Sequence, residues 1–122
     1  MLRAVLGKKP VARDWLRRVD DGSVDAAWPT HLYAEVANVL VTAVRGRVIN
    51  HTEALRLFDI VRAIDADAKP VEQLAGLAIT IGLERNLSAY DACYVLLAET
   101  LDATLVTADR RLAAATATSV LI

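Results

Sequence analysis

The chain has little of what cross-links or punctuates a protein. Of its 122 residues one is cysteine, three are proline, five are glycine and one is phenylalanine, and aromatics make up 5%. A lone Cys93 forms neither an internal disulfide nor a cysteine-based zinc site. Sparse proline and glycine leave few turn signals, so most segments read as helices. The longest runs without a charge, 73–83 and 112–122, fall well short of the roughly 18–20 residues that span a bilayer, so no membrane role is expected. No basic segment followed by an apolar stretch and a cleavage site opens the chain, and a cytoplasmic location is the expectation. Glycine-rich phosphate loops of the Walker and dinucleotide types are also missing. An excess of either charge is absent too: 14 Lys and Arg face 15 Asp and Glu, for a net charge of −1. That excludes a protein that coats nucleic acid through a strongly basic surface. It does not exclude a nuclease, whose acidic site offsets its basic contacts.

What is there is apolar. Hydrophobic residues reach 55% and charged residues 24%, with a mean hydropathy of +0.34, enough for a core and too much for a disordered tail. No linker, repeat or low-complexity run divides 1–122, so a single domain is expected. Pro10, Val11, Trp15 and Val19 outline a first helix, ended by Gly22. A short strand comes next over 24–28, stopped by Pro29. Thr30 then caps a helix with apolar positions Leu32, Val36, Val39, Leu40 and Ala43, ending near Arg45 and Gly46. Thr52 opens another, carrying Leu55, Phe58, Val61 and Ile64. Asp65 and Asp67 alternate with apolar residues in 64–71, which suits a short, partly exposed strand. The stretch 72–83 reads as a helix buried on most of its surface. Ser88 starts the next, with Tyr90, Tyr94, Leu97 and Leu101 on one stripe. The clearest strand is 104–107, then a short helix over 109–115 and a last strand over 119–122. Strands alternating with helices define an α/β sandwich with a small, mostly parallel sheet.

Three carboxylates stand in unusual places. Glu35 falls about 60° from Leu32 on the helical wheel, at the edge of the buried stripe, with Asn38 and Thr42 continuing that flank. It reads either as part of a site or as a solvated flank. Ser88 and Asp91 have capping-box spacing, so Asp91 taken alone reads as part of a helix cap. Asp109 sits where a strand hands over to a helix, an ordinary cap position. Together they say more. Ligands of open parallel sheets gather at the carboxyl ends of strands, where Glu35 and Asp109 both come after a strand. Clustered carboxylates repel unless a cation relieves them, and an all-carboxylate set without histidine suits Mg2+ or Mn2+ better than Zn2+. His31 and His51 have no partner at metal-ligand spacing and read as surface or capping residues. Cys93 reads as packing.

The segments 32–40 (LYAEVANVL), 87–92 (LSAYDA) and 105–112 (LVTADRRL) resemble the three later motifs of PIN-domain proteins, with the closest likeness to VapC-type toxins of prokaryotic toxin–antitoxin pairs. Order and spacing agree over nearly the whole chain. The resemblance implies a PIN-like three-layer sandwich and a Mg2+- or Mn2+-dependent endoribonuclease held inactive by a cognate antitoxin, with a homodimer as the family expectation. By motif match Glu35, Asp91 and Asp109 are the acidic catalytic and metal-site residues, and Asn38 and Thr107 fall at polar supporting positions. Arg45, Arg47, Arg85, Arg110 and Arg111 are candidates for phosphate contacts to RNA, or simply solvated surface charge.

One departure stands out. Family members begin with an apolar strand ending in aspartate, whereas here 2–7 matches the segment just after that strand, and the first acid is Asp14. The expectation is a sheet lacking its usual first central strand and a site lacking its first aspartate, which makes activity of this chain doubtful. A non-catalytic PIN-like module that binds an antitoxin or forms oligomers is the alternative.

Overall fold

The computed structural model describes residues 17, 18, 21–107, 109–116 and 118–121. Their elements run β1 (Ala26–Pro29), α1 (Leu32–Arg45), α2 (His51–Ala63), β2 (Ala66–Lys69), α3 (Val71–Arg85), α4 (Ala89–Thr100), β3 (Leu105–Thr107), α5 (Arg110–Ala114) and β4 (Ser119–Leu121). The α/β class expected from the sequence is the one observed, with a small parallel sheet flanked by helices. Most of the expected first helix, and the segment 2–7 matched to the stretch after the family's first strand, lie outside the described residues. Arg17 and Arg18 are helical, and Gly22, at φ +79°, occupies the left-handed region expected of a glycine past a helix end.

The described residues fall into two compact units, one of 27–30 with those from 67 onward and one of those up to 26 with 31–66. In the first, β1 pairs with β2, and β3 pairs in parallel with β4 in the register Leu105 with Ser119, Val106 with Val120 and Thr107 with Leu121. Helices α3 and α4 pack closely through small residues. Ala78, Ala92 and Cys93 are buried among Val71, Leu74, Ile81 and Leu87. Gly82 allows a tight approach, since a Cβ there would stand 2.9 Å from the Leu87 carbonyl oxygen. Val95, Ala98, Leu105 and Leu112 form the adjoining core, which seats β3 and α5 against α4. In the second unit α1 packs against α2, burying Leu32, Val36, Leu40, Ala54 and Val61.

Several expectations shift. β1 begins two residues late because Val24 stays in the preceding turn, its N–H donating to the Arg18 carbonyl. His31, not Thr30, stands at the cap of α1, already helical at φ −69° and without a side-chain cap bond. The Thr30 hydroxyl instead accepts from the Val71 N–H at 3.0 Å, and the Thr30 N–H donates to the Lys69 carbonyl at 2.9 Å. The β1–β2 pairing thus holds Thr30 over the first amide of α3, where Pro70 has no side-chain acceptor to offer. Helix α2 starts at His51 because Asn50 caps it, its Oδ1 accepting from the Glu53 N–H at 2.8 Å. Along α2, Val61 is buried, but Leu55 is 58% exposed. Helix α3 is not buried on most of its surface. It turns Ala78 and Gly82 inward and leaves Leu77, Ile79 and Leu83 exposed. On α4 the buried face is Ala92, Cys93, Val95, Leu97 and Ala98, whereas Tyr90 and Leu101 are exposed.

Candidate active site

Asp109 is set by local chemistry. Strand β3 ends at buried Thr107, whose hydroxyl accepts from the Asp109 N–H at 3.1 Å. The turn leaves Asp109 extended at φ −93°, ψ 117°, and its Oδ1 accepts from the Arg111 and Leu112 amides at 2.9 and 3.3 Å. Asp109 is therefore the cap of α5. One carboxylate oxygen is committed to that role, and no hydrogen bond among the described residues reaches the second. Ser119 secures the far end of the same helix, its hydroxyl donating to the Ala113 carbonyl at 2.7 Å.

Asp91 shows the opposite division. The Ser88 hydroxyl accepts from the Asp91 N–H at 3.1 Å, which is one half of the capping box. The return bond from the carboxylate to the Ser88 amide is not made among the described residues, and Asp91 is half-buried. The backbone of Asp91 thus completes the cap while its carboxylate does not.

Glu35 and Asn38 belong to the second unit, whereas Asp91, Thr107 and Asp109 belong to the first. Glu35 lies in the first turn of α1, half-buried, with its Oε1 3.2 Å from Nε2 of His31. Spacing in the sequence offers His31 no partner for a metal. Its i, i+4 relation to Glu35 is the signal that finds this contact. Asn38 is exposed, and its carbonyl accepts from the Thr42 hydroxyl at 3.0 Å. His51 is exposed as the first residue of α2. Cys93 is buried and its thiol pKa is pushed up by that burial, which suits packing rather than nucleophilic attack.

The arginines fall into two groups. Arg85 is committed: its guanidinium holds Glu99 through both carboxylate oxygens, at 2.6 and 3.1 Å, and donates to the Ala115 carbonyl at 2.8 Å. The Thr116 hydroxyl also donates to Glu99, at 3.3 Å. Hydrogen bonding to Arg85 lowers the Glu99 pKa, and the same bond raises that of Arg85. Arg111 donates to the Asn86 carbonyl at 2.6 Å. Arg45, Arg47 and Arg110 are exposed. Beside Arg45, α1 and α2 form an apolar groove of about 410 Å³ lined by Leu40, Val41, Val44, Leu55 and Phe58.

Among the described residues no group of three or more His, Cys, Asp or Glu side chains could hold a metal ion. The donor chemistry of Asp91 and Asp109 nonetheless suits Mg2+ or Mn2+, hard cations that keep several waters and take one or two carboxylates.

The PIN-domain family model matches residues 2–117, and the chain belongs to that family. PIN domains are generally nucleases and usually use divalent metals. Among solved structures, the crystal structure of PAE2754 from Pyrobaculum aerophilum is similar at 24% identity with a TM-score of 0.68, over 96% of this chain and 84% of that one. At that identity it shows the shared fold. No curated protein matches the chain.

Proposed function

We propose that the chain is a Mg2+- or Mn2+-dependent endoribonuclease, the toxin of a VapC-like toxin–antitoxin pair, built as one PIN unit over 1–122. The observation that carries this reading is the carboxylate chemistry left over once capping is counted. Asp91 caps through its backbone alone, and Asp109 spends one oxygen of two. Glu35 and Asn38, in the other unit, stay candidates by motif match alone, and Thr107 supports the two aspartates. Thr107 does so by shaping the turn that presents Asp109.

Asp91 and Asp109 would hold a divalent cation, which would supply a bound water of lowered pKa and stabilise charge on the scissile phosphate. Exposed Arg45, Arg47 and Arg110 contribute phosphate contacts that bind RNA in a salt-dependent way. Arg85 is left out of that set, because Glu99 and Ala115 occupy its guanidinium. The α1–α2 groove supports an antitoxin partner, since its apolar lining suits a partner helix. A homodimer and a cytoplasmic location complete the reading.

The test is cleavage of a structured RNA in Mn2+ by the parent chain, Asp91→Asn and Asp109→Asn. Asn caps a helix about as well as Asp, so Asp109→Asn is expected to melt with the parent and to cut nothing. Retained cleavage in both variants would remove the two aspartates from the chemistry. A second reading, a non-catalytic module, draws support from the missing trio of metal-holding side chains among the described residues. It predicts no cleavage by the parent chain with antitoxin binding intact.

A further inference from the structure

We infer that Arg111 is a positioning residue that sets the placement of Asp109 relative to Asp91, rather than a contact to RNA. This rests on the proposed role of those two aspartates in the site. Arg111 lies two residues past the cap of α5, so its backbone amide already binds the Asp109 Oδ1 at 2.9 Å. Its guanidinium runs the other way and donates at 2.6 Å to the carbonyl of Asn86. Asn86 ends α3 in the left-handed region at φ 55°. The chain then passes through Leu87 to Ser88, the cap that binds the Asp91 amide. A single side chain therefore joins the segment that presents Asp109 to the turn that presents Asp91.

Two further features make this tie strong. The carbonyl end of a helix carries partial negative charge, and a guanidinium there forms a charge-assisted bond. Beside it, Leu87 from the turn and Leu112 from α5 pack in one apolar cluster with Val95 and Leu105. The apolar contact holds the segments together without directing them, since burial is not directional. The Arg111 bond supplies the direction. A cation shared by two carboxylates needs their spacing held closely, because small octahedral ions tolerate little error in ligand position.

The experiment measures Mn2+ binding by the chain alone, through the electron paramagnetic resonance signal of free Mn2+, for the parent, Arg111→Ala and Arg111→Lys. The same proteins are assayed for RNA binding across a salt series in chelator. Arg111→Ala is expected to weaken Mn2+ binding on the order of tenfold, as loss of groups that orient metal ligands does, with the salt slope of RNA binding unchanged. Arg111→Lys keeps a donor for the Asn86 carbonyl and is expected to restore most of the affinity. A folded Arg111→Lys as weak as Arg111→Ala overturns the proposal. So does unchanged Mn2+ affinity with a salt slope smaller by about one, the mark of a lost phosphate contact. If Asp91→Asn and Asp109→Asn both bind Mn2+ as the parent does, the two-aspartate reading fails first and the proposal falls with it.

Discussion

Gly82 and Gly76 lie on the same helix and respond oppositely to an added methyl. At Gly82 a Cβ would meet the Leu87 carbonyl oxygen at 2.9 Å, a backbone atom that cannot step aside, whereas at Gly76 nothing stands within 4 Å. Gly82→Ala is expected to destabilise by about 1–3 kcal/mol through overpacking. Gly76→Ala should stabilise by up to about 1 kcal/mol through helix propensity. Urea unfolding of both variants checks the pair. Glu99 provides the second residue-scale prediction. Its pKa is lowered by the Arg85 bond, so the folded state holds the carboxylate charged to lower pH than the unfolded chain does. The stability it adds is fully present above the unfolded carboxylate pKa of about 4.3 and disappears as pH falls through the lower folded value. Both partners are about a third exposed, which limits the effect to roughly 1 kcal/mol or less. The stability gap between the parent and Glu99→Gln should be constant from pH 7 to 5 and shrink below pH 4, as acid titrations of unfolding would show.

Helix starts are where element-scale reading succeeds or slips. Asn50, not Thr52, caps α2, so Asn50→Ala is expected to cost about 1 kcal/mol and Thr52→Ala only a few tenths. Thermal melts of the two variants decide it, and equal losses would return the cap to Thr52. Both are cap-type residues two positions apart, and only the backbone shows which one is extended: Asn50 stands at φ −95°, ψ 172°. Thr30 illustrates a different slip. Its type and place announce a cap, and it does serve a helix start, but that of α3 across the β1–β2 pair. Nothing local in the sequence reports a bond to an amide forty-one residues away. Helix α3 departs from its expected burial for a related reason. Its composition is apolar nearly all round, and such a helix buries whichever face its neighbour offers. Here α4 meets the small side, Ala78 and Gly82, and the large residues Leu77 and Leu83 remain outside.

At the scale of the whole molecule, periodicity and turn residues are enough for the element order, because amphipathic spacing and caps act within a few residues. The α/β class and the PIN family come from the same local patterns, read in three motifs. Asp91 and Asp109 are also legible as candidates, each with a capping role that spacing alone does not separate from chemistry. The geometry adds which of their groups the caps consume: the Asp91 amide and one Asp109 carboxylate oxygen. Arg85 and Arg111 are legible only as charges. Their partners, Glu99, Ala115 and Asn86, come from other elements, and packing of α3, α4 and α5 around Val95 and Leu112 is what brings them into reach. Helices, strands and family membership depend on neighbours along the chain, and the order of residues is sufficient for them. Which polar groups are spent on holding elements together is settled by the folded arrangement instead. A hydrogen bond between distant segments exists only once burial of apolar surface, which has no preferred direction, has brought those segments side by side.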